Sequence, residues 1–339
     1  MYPLESLDTN LHFKTHEDPS MSEAQVNTLK LYRDMANQCA VQEAFHLARR
    51  SGILDALVES QKTLGELAEA FTAQPNVLEC ILDVLVTSNV LEKYGDYYAV
   101  SQMVRLLTQH DHDFGQTRWH ELDEALSGKS KSQPDEFRQR RVATQWLETP
   151  SAMLVPRYLG TSTDDKSPRI LDVCSGSGVW SLALAHTDPE CQVTLLDLPD
   201  TLETAKNTVD QIGLGERVSY IQGDPQTAEL APRSYDIIIM ANALRTMDIT
   251  QWPSLFSKLF DALDEGGRFA LVDIFEGQEQ GDLSRAVMKM DFVQHYPELE
   301  FCDPRQIQRF LSDAGFDNPL YAHLDAAPYV YGLLVAWRQ

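Results

Sequence analysis

The sequence predicts two parts: a doubly wound α/β domain, and before it a mainly helical winged-helix domain. Three observations carry this reading. From residue 169 onward, short apolar runs alternate with amphipathic segments of helical period, the pattern of a largely parallel sheet wrapped by helices. The first of those runs passes through "LDVCSGSGVWSLALA" (171–185), a strand that opens through small residues into a helix. Before residue 105, helical periodicities end in two short strand-like runs around Gly95-Asp96.

The elements follow in order. Residues 1–20 are polar and irregular and are expected to form a flexible arm; they lack the basic and apolar regions of a signal peptide. From Asn27 to about Leu57 apolar residues recur at helical spacing: Leu29, Tyr32, Met35, Ala36, Cys39 and Ala40, then Ala44, Leu47, Ala48 and Ile53. Gly52 fits a helix end followed by a second short helix. In "TLGELAEAF", Thr63 and Glu66 have the spacing of a capping box. A helix over Asn76–Ser88 and the hairpin "VLEKY"/"YYAVS" complete a winged-helix unit over 21–105. Its second helix, "NVLECILDVLVTS", contains Glu79 and Asp83 but neither Lys nor Arg, so it cannot serve phosphate as a DNA-reading helix does. The unit is therefore expected to be a platform for homodimerisation. Residues 106–160 read as helical linker and pocket wall, with a polar break over 127–136. Residues 161–339 form the α/β domain.

The chain has 339 residues, with 51 acidic against 28 basic residues and a formal net charge of −23. This balance argues against a nucleic-acid partner. The run "RQRR" (138–141) is expected to be a solvated helix face. The five cysteines form no CxxC pair, so neither a disulfide framework nor a metal site is expected. No apolar stretch is long enough to span a bilayer. A cytoplasmic location without membrane or nucleic-acid partners is the expectation.

In folds of this kind ligands bind at the carboxyl ends of the strands. Gly176 and Gly178 let a ligand approach the backbone, and the helix from Val179 offers free N–H groups. Asp197 ends the second strand about 20 residues on, where a carboxylate can accept ribose hydroxyls. The loop "CSGSG" lacks the full GxGxxG of pyrophosphate binding, which disfavours NAD. Asp224 follows the third strand in "IQGDP", and "YDIIIMANAL" supplies Asn242 at the end of the fourth. Asp236 starts that strand, which is expected to point into the cleft.

On these motifs, residues 169–275 resemble a class I S-adenosylmethionine-dependent methyltransferase with a Rossmann-like domain. The whole order, over roughly 25–339, resembles the small-molecule O-methyltransferases of the plant caffeate and acetylserotonin type and their bacterial relatives. The resemblance implies that Asp172, Ser175, Gly176 and Gly178 surround the methionine part of the cofactor. It further implies that Asp197 holds the ribose, Leu198 packs near the adenine, and Asp224 bonds the adenine amino group beside Pro225. Asn242 would line the passage between cofactor and acceptor. The product would be S-adenosylhomocysteine, and the acceptor a small aromatic or conjugated metabolite.

One departure stands out. The family's general-base His falls on Arg245 in "ALRTMD", with Thr246 and Met247 at the two motif positions that follow. An arginine cannot remove a proton, so it is expected instead as a clamp on an anionic acceptor, or as one half of a surface ion pair. His295, His120 and Tyr296 are the alternative candidate bases. Trp146, Met153, Met288 and Phe292 are candidates for an apolar pocket. Cys174, beside Asp172 and a buried strand, is a poor nucleophile. O-methylation is favoured. C- or N-methylation and a cofactor-binding enzyme that performs another reaction stay open, and a winged-helix regulator is the remaining rival.

Overall fold

The computed structural model describes residues 23–107, 119, 122–128, 134–159, 167–276, 283–296, 301, 303–326 and 329–339. The chain divides into two compact units, Met1–Gln109 and His110–Gln339. The 1–20 arm lies outside the described residues.

The first unit begins with a long helix, Glu23–Arg50, which ends where Gly52 takes a left-handed conformation (φ 83°) and admits the helix Ile53–Glu59. The capping box forms: Glu66 N–H donates to Thr63 Oγ1 (3.3 Å), and Thr63 N–H donates to Glu66 Oε2 (2.7 Å), fixing the start of the helix Leu64–Ala70. The helix Pro75–Thr87 follows, and its Leu78, Leu82 and Leu85 are buried. Strands β1 (Lys62–Thr63), β2 (Leu91–Tyr94) and β3 (Tyr97–Val100) make an antiparallel wing in the order β1-β3-β2. Only the C-terminal part of the first helix packs inward, through Phe45 and Ala48. Val26, Leu29, Leu31, Tyr32 and Met35 are exposed. Glu79 and Asp83 of the fourth helix are exposed too.

The second unit holds a seven-stranded sheet. It contains β4 (Arg169–Val173), β5 (Gln192–Asp197), β6 (Val218–Gln222), β7 (Tyr235–Ala241), β8 (Leu263–Asp273), β9 (Asp317–Ala326) and β10 (Tyr329–Trp337). The order is β6-β5-β4-β7-β8-β10-β9; the first five strands run parallel, and β10 is antiparallel to both its neighbours. One face packs Trp180, Leu202, Ala205 and Val209, from the helices Val179–Thr187 and Pro199–Gln211. The other packs Trp252, Phe256, Leu259, Ile307 and Leu311, from Trp252–Ala262 and Pro304–Asp313. Both faces are thus covered, which is why the parallel strands read as unbroken apolar runs. The chain between the wing and β4 contributes short helical pieces to this unit, among them Pro134–Thr144 and the tight turn Gln145–Glu148.

Asp236 lies near the start of β7, at the amino end of the sheet, where it accepts from Arg169 N (2.7 Å) and NH2 (2.9 Å). Arg169 also reaches Asp264 (3.0 Å), so Asp236 belongs to an ion-pair cluster at the end of the strands away from the cleft. β9 is an element that the apolar pattern did not reveal, because most of its residues are half-buried or exposed at the sheet edge.

Candidate active site

The site grows from the carboxyl ends of β4, β5 and β7. After β4 the chain turns through Cys174 (φ 58°) and Gly176 (φ 60°), both left-handed, into the helix at Val179. The turn is held from β5, because Asp197 Oδ2 accepts the Gly176 N–H (2.9 Å) while Oδ1 accepts the Leu198 N–H (2.7 Å). Burial pushes the Asp197 carboxyl up, and these two amide donors oppose that shift. Asp172, at the end of β4, is 1 % exposed and accepts from Ser181 Oγ (2.6 Å). Burial outweighs the Ser181 bonds and lifts it to about 8, so it carries a proton at neutral pH. Burial, with the carboxylates of Asp197, Asp172 and Asp224 adding to it, holds the Cys174 thiol well above its ordinary range, which keeps it un-ionised as expected.

A single cavity of about 340 Å³ brings together Gly176, Asp197, Leu198, Asp224, Pro225 and Asn242. Asp224 Oδ1 accepts the Gln226 N–H (2.7 Å) in a tight turn at the end of β6. Asp172, Ser175 and Gly178 do not line the cavity. Asp172 and Gly178 shape the loop from within, and Ser175 Oγ is buried without a hydrogen-bond partner. The opposite wall comes from Pro134–Thr144 and from the helix Leu283–His295, through Phe137, Arg138, Arg141, Val142 and Phe292.

Two side chains that the sequence did not single out join these walls. Gln145 Oε1 accepts from Ser177 N (2.7 Å) and Ser177 Oγ (2.9 Å), in the turn just before the helix. A Cβ on Gly176 would stand 2.3 Å from that same oxygen, so the glycine is demanded by Gln145 as much as by a ligand. Glu148 is buried and accepts four bonds: Trp180 Nε1 (2.7 Å), Asn242 Nδ2 (3.2 Å), Arg141 NH2 (3.1 Å) and Tyr331 OH (3.0 Å). The signal was present in outline. Phe137, Arg138, Arg141, Val142, Gln145 and Glu148 recur at helical spacing, and this face turns inward. Arg138 and Arg141 of "RQRR" therefore line the cavity, contrary to the expected solvated face.

The candidate bases fare differently. Arg245 is buried, its guanidinium paired with Asp273, donating to Asn242 Oδ1 (2.8 Å) and lying 3.9 Å from the Phe292 ring centre. It does not line the cavity, and its ion pair is internal, which corrects both the expected clamp and the expected surface pair. His295 is also buried, stacked at 4.7 Å on Phe137 with Nε2 3.1 Å from Arg140 NH2, and it too stays off the cavity surface. His120 lies outside the described residues. Tyr296 lines the cavity, and burial raises its phenol against the opposing pull of Arg138 and Arg141. Phe292 lines the cavity and Met288 a neighbouring one, while Met153 packs into the sheet core and Trp146 is part-exposed. Among the described residues, no group of His, Cys, Asp and Glu side chains could hold a metal ion.

Residues 170–267 match the family described as methyltransferase domain, and residues 34–110 the O-methyltransferase dimerisation domain. The chain is 30% identical over 173 residues to the L-tyrosine C(3)-methyltransferase of Streptomyces lavendulae, covering 50% of this chain and 47% of that one. It is 25% identical over 169 residues to the 3-hydroxy-5-methyl-1-naphthoate 3-O-methyltransferase of Streptomyces sahachiroi, covering 48% and 47%. It thus spans about half the length of these two relatives. Human N-acetylserotonin methyltransferase, solved in complex with S-adenosylmethionine, shares the fold at TM-score 0.65 and 18% identity, over 95% of this chain and 99% of that one. A putative O-methyltransferase from Nostoc punctiforme does so at TM-score 0.65 and 17% identity, over 93% and 98%.

Proposed function

Taking as premise that the chain belongs to the methyltransferases that carry an O-methyltransferase dimerisation domain, we propose that it methylates a small aromatic or conjugated acceptor. Oxygen is the favoured acceptor atom. The observation that carries this reading is the convergence of Gly176, Asp197 and Asp224 from three strand ends on one cavity.

The residues fit S-adenosylmethionine. Each Asp197 oxygen takes one backbone donor, which leaves acceptor capacity on both for a pair of ribose hydroxyls. Asp224 has Oδ2 to offer an amino group. Bound there, the cofactor supplies a methyl group made electrophilic by its sulfonium. The protein's task is then to align and to exclude water, which Phe137, Val142 and Phe292 do along the far wall. Among the described candidates, Arg245 and His295 stay off the cavity and Tyr296 lines it with a phenol that burial keeps protonated, so an acceptor already ionised or bearing an electron-rich carbon suits the site. Carbon is the second reading, favoured by the relative named as an L-tyrosine C(3)-methyltransferase.

The exposed Leu29, Tyr32 and Met35 of the first helix support a homodimer formed through the N-terminal unit. Exposed Glu79 and Asp83 argue against DNA on that unit. No described helix is long and apolar enough to cross a membrane. Cys39, Cys80, Cys174 and Cys191 form no disulfide among the described residues. Calorimetric titration tests the cofactor assignment: S-adenosylmethionine and S-adenosylhomocysteine should bind while NAD gives no heat. Methyl transfer from labelled cofactor into a metabolite extract tests the reaction. Heat from NAD alone would overturn the proposal.

A further inference from the structure

We propose that the acceptor carries a carboxylate, and that Arg141 is the residue that selects for it. The inference rests on the methyltransferase reading and names its substrate class. A second cavity, of about 360 Å³, adjoins the first; Arg141 and Phe292 line both and so form the boundary between them. The Arg141 guanidinium lies 4.6 Å from the centre of the Phe292 ring and 6.0 Å from that of Phe137. The cation thus sits against aromatic surface, which favours a guanidinium there.

The donor count is the core of the argument. Arg141 uses NH2 on Glu148 Oε1 (3.1 Å). Among the described residues its Nε and NH1 make no protein hydrogen bond, and the side chain keeps 20% of its surface open to the cavities. Glu148 cannot swing to take them, because Tyr331, Trp180 and Asn242 hold its two oxygens in place. The neighbouring arginines are committed elsewhere. Arg140 pairs with Asp291 (2.9 Å) and touches His295, and Arg245 is buried on Asp273. Arg138 pairs with Asp135 and lies within electrostatic reach of Asp197, at the end of the cavity assigned to the cofactor.

Nε–H and NH1 lie on opposite edges of the guanidinium, but NH2 carries two hydrogens; whichever one Glu148 takes, the other completes a two-donor edge with Nε–H or with NH1, and that edge matches a carboxylate bidentately. The fixed negative charge of Glu148 beside them disfavours a dianion such as a phosphate monoester. Apolar Leu283, Val287 and Met288 complete the second cavity and suit the body of an aromatic acid.

The test uses the full chain saturated with S-adenosylhomocysteine and calorimetric titration of matched pairs. The acids are benzoate, 3-hydroxybenzoate and naphthalene-1-carboxylate, each compared with its primary amide. At least one acid should bind roughly 10- to 100-fold more tightly than its amide. Arg141→Met should erase the preference and Arg141→Lys keep part of it, each with S-adenosylhomocysteine affinity within about threefold of wild type, which also reports correct folding. Equal binding of acids and amides, binding of none, or a preference that survives Arg141→Met would overturn the proposal. So would an Arg141→Met variant that folds by circular dichroism but binds S-adenosylhomocysteine at least about tenfold more weakly, because Arg141 would then serve the cofactor's own carboxylate. Failure of the wild-type chain to bind S-adenosylhomocysteine would instead overturn the methyltransferase reading beneath it.

Discussion

Replacing Arg245 with Met separates an internal ion pair from a substrate clamp. The Arg245 and Asp273 side chains keep only 2% and 4% of their surface exposed. Met fills much of the arginine stem but leaves Asp273 with the Ile274 N–H (2.7 Å) as the remaining donor among the bonds described here. Removing one member of a buried pair costs about 3–5 kcal/mol, because the surviving charge keeps its desolvation penalty. Loss of the Asn242 bond and of the Phe292 contact works in the same direction. For a unit of this size each kcal/mol shifts Tm by about 2–4 °C, so a fall of roughly 6–20 °C is expected in a thermal melt. The double variant Arg245→Met/Asp273→Leu removes both charges and should recover at least half of that loss. A clamp predicts the opposite: unchanged melting with turnover abolished. An Arg245→Met protein that loses less than about 1 kcal/mol would refute the ion-pair account.

Asp197→Asn cannot accept from both the Gly176 and Leu198 amides, so S-adenosylhomocysteine affinity should fall roughly 10- to 100-fold by calorimetry. Unchanged affinity would remove Asp197 from the site. Gly176→Ala adds a left-handed penalty of about 1–2 kcal/mol and drives Gln145 off Ser177. Adding Gln145→Ala should relieve the clash but not the backbone strain, leaving urea stability between wild type and the single variant. Glu148→Leu strands the Trp180, Asn242 and Tyr331 donors and should cost roughly 3–5 kcal/mol, with a shift in Trp180 fluorescence. Asp172 titrates at about 8 when folded against an ordinary 3.8, so the folded state binds the extra proton between these values. Its contribution is complete below pH 4 and is lost as pH rises to about 8; Asp172→Asn should flatten that slope in urea melts taken from pH 5 to 8.

The parts of the site that the sequence revealed are those made by local chemistry. A strand, a small-residue turn and a helix place Gly176 at a strand end, and the next strand places Asp197 about 20 residues on, beside it. Nothing distant is needed, since β4 and β5 are neighbours in register. The Thr63–Glu66 cap and the Gly52 break were legible for the same reason. Arg245 was legible only as a choice between a clamp and a surface ion pair, because its identity excluded a base without naming its partner. The partner, Asp273, lies 28 residues away on β8, in a strand whose apolar run gave no hint that its last residue holds a cation. "RQRR" misled in the opposite way: four polar residues in a row look solvated, but a helix sends positions 138 and 141 to one face and the intervening pair elsewhere.

The segment Phe137–Glu148 explains why the two kinds of information meet here. Its helical face supplies the far wall, and its last turn carries two buried acceptors, Gln145 for the Ser177 amide and Glu148 for Asn242 and Arg141. Gln145 thereby ties this wall to the loop at the Asp197 end, while Glu148 ties it to the boundary between the cavities. A displacement of this one segment must disturb both ends at once. Glu148 variants should therefore change acceptor and cofactor affinity together, whereas Arg141 variants should change acceptor affinity alone. Measured in one calorimetric series, a Glu148→Gln protein that weakens only one of the two ligands would show that the ends are independent, and that the shared segment does not couple them.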